Sequence, residues 1–257
     1  MTNSPNLWMP DMRLPFMKTT GQKISPALIL PLALLLAGAS HAAGLQPYTA
    51  TYEVARNGDA LGSATITLRQ IPGGWDFDSA TRGTSGMARL AAADINEHST
   101  VHDSNGVLET RMYRYRQSTI LKTRERSIAV DAASNRIITH DKHGDQQFPM
   151  QRGVLDRQAV TLAIAQDLAM GKRGTLNYNV ADSDHVGAQR YQVGKEETVR
   201  VPAGTIRTIT VARVRDSGGG RTTVSWFGLD NGFVPVKIVQ TEPKGEVLEM
   251  GLVSLRR

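Results

Sequence analysis

The sequence has no cysteine, only 5% aromatic residues and, beyond residue 42, no long uninterrupted hydrophobic run. The missing cysteines remove three routes to function together: a disulfide framework, a thiolate-bound zinc or iron–sulfur centre, and a thiol nucleophile. With aromatics scarce, aliphatic side chains must fill most of any core. No linker-like stretch or shift in composition divides the chain, and no repeat of fixed period occurs, so a single domain is expected over residues 43–257. What is present is 40% hydrophobic and 21% charged residues over 257 positions, a globular composition that excludes disordered and collagen-like chains.

The one apolar run lies near the start. Ile24 to Ala39 (ISPALILPLALLLAGA) follows Lys18 and Lys23 and precedes Ser40-His41-Ala42. Basic residues, a short greasy segment and small residues at its end make a secretory signal peptide over residues 1–42, with cleavage expected after Ala42. A membrane anchor fits less well, because Pro26 and Pro31 interrupt a run already shorter than the roughly 20 residues a span needs. Met17 gives a more compact leader than Met1. Ala39 stands where a lipoprotein would carry its acylated cysteine, so a soluble periplasmic product without stable membrane insertion is expected. Losing residues 1–42 takes away Arg13, Lys18, Lys23 and Asp11, which reduces 30 basic and 24 acidic residues to 27 and 23, net +4. That modest excess suits anionic envelope surfaces; nucleic acid is not an expected partner in that compartment.

Period-two alternation dominates the rest. Tyr48, Ala50, Tyr52 and Val54 share a face, Asn57-Gly58 makes a hairpin turn, and Ala64, Ile66 and Leu68 continue on the next strand. Further strands are expected near 75–79, 95–103, 107–118, 121–130 and 136–141, with turns at Ser104-Asn105-Gly106, Ala133-Ser134-Asn135 and Lys142 to Asp145. One segment changes period: Asp156 can cap a helix over about 156–170 whose Val160, Ala163, Ile164 and Leu168 form a stripe, ended by Gly171. Met87 to Ala93 reads ambiguously as a short helical turn. After the helix, strands resume through Leu255. The expected fold is mainly β: one curved antiparallel sheet or partly closed β-barrel of about ten to twelve strands, covered by a single helix.

Tyr191 to Val214 (YQVGKEETVRVPAGTIRTITVARV), Arg221 to Leu252 and the opening hairpin YTATYEVARNGDALGSATITL resemble exported bacterial proteins of the uncharacterised domain-of-unknown-function family numbered 3108. Gly194 and Glu196, the Pro202-Ala203-Gly204 turn, Trp226 and Val234-Pro235-Val236 carry the resemblance. These residues set turns and fill cores, so the resemblance implies a curved envelope sheet and no assigned activity. Periplasmic lipoprotein carriers offer a fold-level analogy, a half-open sheet around an apolar cavity.

No arrangement points firmly to catalysis or a cofactor. His98 and His102, beside Glu97, would chelate a metal on a helix, but four residues of strand span about 13 Å, too far for shared bonds of about 2 Å. His140, Asp141, His143 and Asp145 crowd a turn, and such tips are usually solvated. Asp182-Ser183-Asp184-His185 places triad residue types side by side, whereas triad members approach from separate elements. Gly218 to Gly220 lacks the strand–turn–helix setting of a dinucleotide site. No metal, cofactor or catalytic residue is assigned.

The strongest pattern is basic. Alternation puts Arg114 and Arg116 on one side of a strand with Leu108 and Met112, and Lys122, Arg124 and Arg126 together on a side of the next; if the register pairs them, all five share one face. Such a face would favour an anionic or lipid component of the envelope. Trp75 and Trp226, with the other large side chains on strand faces, are expected mostly to fill the core; if the sheet closes imperfectly, some would instead line an apolar cleft between sheet and helix. The leading expectation is a non-enzymatic binder of an amphiphilic or anionic component; a protein-interaction module in envelope assembly comes second and a hydrolase with an unrecognised site third.

Overall fold

The computed structural model describes residues 44–86, 93–215 and 220–257, within the compact unit His41–Arg257. The leader, residues 87–92 of the ambiguous helical segment and residues 216–219 of the glycine tip lie outside the described residues.

The chain first lays down β1 (Tyr48–Arg56), β2 (Asp59–Ile71), β3 (Gly74–Gly83), β4 (Asp94–Ser104), β5 (Val107–Ser118), β6 (Thr123–Asp131), β7 (Arg136–Asp141) and β8 (Gly144–Pro149). A two-residue strand β9 (Leu155–Asp156) leads into helix α1 (Val160–Ala169). Then come β10 (Thr175–Ala181), β11 (Val186–Val201), β12 (Gly204–Val214), β13 (Thr222–Gly228), β14 (Pro235–Thr241) and β15 (Val247–Arg256). All belong to one sheet ordered from β8 down to β1, then from β15 down to β9. Each neighbouring pair is antiparallel except β9 with β10. Hairpin turns build this meander; at the first, Asn57 and Gly58 both take positive φ, the geometry that matches strand twist.

The expected curved, mainly β sheet with a single covering helix among the described residues is what forms, and it curls without closing. Fifteen strands replace the expected ten to twelve. Two of the extra strands leave almost no trace in the sequence. β8 (GDQQFP) is an edge strand with most residues exposed, so nothing forces alternation on it, and β9 is too short to show a period. Helix α1 starts four residues later than expected, because residues 157–159 form a turn.

Alternation sorts the strands into two faces. Tyr48, Ala50, Tyr52, Val54, Ala64, Ile66, Leu68, Trp75 and Phe77 point inward and are buried. Val160, Leu162, Ala163, Ile164, Ala165 and Leu168 bury α1 against them in a continuous core. The cleft expected between sheet and helix is filled: the void beside Tyr48, Leu162, Phe233 and Val234 holds only about 10 Å³, room for about one water. No helix among the described residues is long and apolar enough to cross a membrane.

Side chains and loop backbone, not a ladder, draw the sheet's two ends together. Residues 153–156 cross the concave side, where the Val154 carbonyl accepts Thr110 N–H at 2.9 Å and Glu109 Oε2 accepts Gly153 N–H at 3.1 Å. Thr139 Oγ1 donates to the Ser183 carbonyl at 2.7 Å. Asp156, fully buried, gathers four donors: Ser99 Oγ (3.0 Å), Thr110 Oγ1 (2.7 Å), Gln158 N–H (2.8 Å) and Ala159 N–H (2.9 Å). The expected cap thus steadies the turn ahead of α1 and also ties that turn to β4 and β5.

Candidate functional site

Two rows of side chains cross the outer face of β2 to β7. Register sets Thr67 against Asp78, Asp78 against His98, His98 against Arg114, Arg114 against Ser127, and Ser127 against His140. Beside it runs Thr65, Ala80, Asn96, Arg116 and Glu125. Residues of both rows line an open groove of about 580 Å³.

At the β3–β4 end of the groove the charges are mutually satisfied. Asp78 accepts Arg69 Nη2 at 2.6 Å and lies 2.7 Å from His98 Nδ1. His98 Nε2 is 3.2 Å from Thr100 Oγ1, which donates to Asp76 at 3.0 Å. Aspartate, imidazole and hydroxyl thus stand in the order of a hydrolytic relay. Its nucleophile is engaged, however, since the Thr100 proton goes to Asp76. β4 is also flanked on both sides by paired strands, whose ladders take up the main-chain amides an oxyanion hole would need.

At the β5–β6 end the balance differs. Arg116 donates to Glu125 at 2.8 Å, but Arg114 is exposed and has no ion pair among the described residues. An unpaired guanidinium in a concave, partly apolar surface can hold a carboxylate or phosphate through two parallel N–H bonds.

The expectation that five cations share one face is overturned by register. Arg114 and Arg116 lie outside, opposite Ser127 and Glu125; Arg124 and Arg126 lie opposite Gln117 and Tyr115, on the inner face with buried Tyr113 and Ile128; Lys122 sits in the turn. A register shift at Thr100/Val101, where Arg111 is the extra residue, also puts Leu108 on the side opposite Arg114. Arg126 instead stacks over Tyr115 at 5.7 Å, with Arg157 over the same ring at 5.5 Å. Arg126 approaches Asp182 at 3.9 Å and Arg157 approaches Glu97 at 3.8 Å. Burial works against the Arg157 charge, yet Glu97 and the surrounding tyrosines and Asp182 raise its pKa above the ordinary value.

Trp75 is buried in the core. Trp226 lies on the face opposite Phe227, its indole N–H donating to Glu197 at 2.7 Å and Lys237 standing 5.8 Å above the ring. The Trp226 bond, followed by Lys195, holds the Glu197 carboxyl below its usual range. The structure therefore does not bring the two tryptophans to the groove. Among the described residues no cluster of three metal-ligating side chains forms. His140 pairs with Asp145, and His185 with the adjacent Asp184. The groove residues Asp78 and His98 carried no joint signal in the sequence, since only cross-strand register unites them.

Comparison with known proteins fits this architecture. The family model described as "Protein of unknown function (DUF3108)" matches residues 47–253. The chain belongs to the DUF3108 family. No curated protein matches this DUF3108 chain. Among solved structures, a β-barrel-like protein of domain of unknown function DUF1849 from Brucella abortus is similar at TM-score 0.54 and 12% identity, covering 82% of this chain and 98% of that one. That likeness shows the fold. Two others are more distant. A protein of Parabacteroides distasonis provisionally named a lipoprotein has TM-score 0.34 and 11% identity, covering 82% and 96% of the two chains. One of Bacteroides fragilis, provisionally named an exported protein with a YmcC-like fold, has TM-score 0.33 and 10% identity, covering 83% and 97%.

Proposed function

We propose that this DUF3108 protein is exported to the periplasm and works there, without catalysing a reaction, as a binder of an anionic or amphiphilic component of the cell envelope. The leader-like run from Ile24 to Ala42 supports export. The observation that carries the binding role is Arg114, an exposed cation with no ion pair among the described residues, lining a groove of about 580 Å³. Arg116 extends the positive lining, while Thr65, Thr67 and Ala80 offer neutral surface to the rest of a ligand. The engaged Thr100 hydroxyl favours binding over hydrolysis.

Native mass spectrometry of the mature protein, purified from the periplasm, tests this reading. A retained small molecule that disappears in Arg114→Glu, with the melting temperature unchanged, is the expected result. A wild-type protein without adduct, or an adduct indifferent to Arg114→Glu, would overturn it.

One observation favours a second reading. β8 ends the sheet with its far edge unpaired and most of its residues exposed, so an extended segment of another envelope protein could add a strand there. Crosslinking through Gln147 to a second polypeptide, with no small molecule retained, would favour this role.

A further inference from the structure

The turn joining β5 to β6 presents two aliphatic side chains to solvent. Ile120 is 70% exposed and Leu121 95%, well beyond Met170 at 48%, the next among large hydrophobic residues. The turn is pinned: Thr119 N–H donates to the Lys122 carbonyl at 2.9 Å, and Lys122 N–H donates to Thr119 Oγ1 at 3.1 Å. Ile120 and Leu121 are therefore held outward by a closed loop. Two described turns at this end of the sheet carry polar tips, Asn57-Gly58 between β1 and β2 and Lys142-His143 between β7 and β8.

Cations follow the apolar pair along the chain. Lys122 and Arg124 are exposed and, like Lys142 at the neighbouring hairpin, have no ion pair among the described residues; Glu125 is already bound to Arg116. Two adjacent aliphatic side chains are too small to form the core of a stable protein interface, which needs about 800 Å² per partner. They do suit the boundary between head groups and acyl chains, where flanking lysine and arginine meet anionic head groups without requiring a shaped pocket.

We propose that the β5–β6 tip is a membrane-docking wedge: Ile120 and Leu121 enter the surface of an anionic bilayer while Lys122 and Arg124 rest at phosphate level. The contact is peripheral and reversible, two side chains deep, and uses residues separate from Arg114. It rests on the export reading only for which membrane the protein meets.

Vesicle flotation of the compact unit His41–Arg257, which omits the leader's own apolar run, tests the wedge. Wild type should float with phosphatidylethanolamine vesicles containing phosphatidylglycerol, less so at high salt, and not with phosphatidylcholine alone. The double change Ile120→Ser and Leu121→Ser should lower vesicle affinity about tenfold, and Lys122→Glu with Arg124→Glu should abolish salt-sensitive binding. Arg114→Glu should leave flotation intact, which separates this wedge from the groove. In Leu121→Trp, the emission of the introduced indole should shift to the blue when anionic vesicles are added. No flotation of wild type, equal flotation of the serine variant, or an emission from the Leu121→Trp protein that stays water-like would overturn the proposal. Circular dichroism of each variant confirms that the exposed tip can be altered without unfolding.

Discussion

Ser99 and His98 are neighbours on β4 and face opposite worlds. Inward, Ser99 joins Thr110 and two main-chain amides around Asp156, and every oxygen of that carboxylate has a partner away from water. Outward, His98 and Asp78 also form a network, but it stops short of Arg114, whose charge meets only solvent. The inner network holds the crossing segment to the sheet and has nothing to spare. On the outer face, a donor remains open to a ligand.

The largest expected effect falls on the inner network. Asp156→Ala leaves three buried donors and one partly buried donor without an acceptor and should cost about 3–5 kcal/mol, read as a fall in the urea midpoint. Asp156→Asn sharpens the point through pH. Burial raises the Asp156 carboxyl above its ordinary value, although the bonds from Ala159, Thr110, Gln158 and Ser99 pull it down. An acid with a raised folded-state pKa gives its full stabilisation below the unfolded value, about 3.9, and loses it as pH rises through the folded value. Measured from low pH upward across that window, the stability difference should therefore move in favour of the asparagine variant. A difference that stays flat with pH would mean Asp156 titrates alike in both states.

The outer face should respond least. Arg116 and Glu125 are each more than half exposed, so Glu125→Gln should change stability by less than about 1 kcal/mol in a thermal melt. It also frees Arg116, and should strengthen retention of an anionic ligand. A loss of several kcal/mol there would erase the contrast between the faces.

Much of this was readable from residue order. The inward faces of β1 and β2, the turn at Asn57-Gly58 and the stripe of α1 follow from local periodicity, which burial imposes on each strand separately. What sequence could not supply is information that lies between strands. The shift at Thr100/Val101 moves Leu108 away from Arg114, and the turn at Ile120-Leu121 sends Arg124 inward while Arg114 stays outside; one residue of slip reverses every side chain beyond it. The bonds from Ser99 and Thr110 to Asp156 bridge 57 and 46 positions, so only the helix-capping part of its role could be foreseen. Leu121 reads as the first residue of the strand expected over 121–130, which in the structure begins at Thr123, because an aliphatic residue in a turn looks the same on paper as one in a core.

The pairing of β1 with β15, from Thr49 opposite Arg256 to Arg56 opposite Leu248, sets the order of events when the chain folds. A polypeptide delivered from its amino end must keep one border of its opening strand bare until the ten residues of β15 arrive. The seam then zips only after everything between has been strung out or provisionally packed, a closure whose entropic cost grows slowly with the length enclosed. Deleting β15 would therefore expose the hydrogen-bonding border of the first strand and invite neighbouring copies to stick to it.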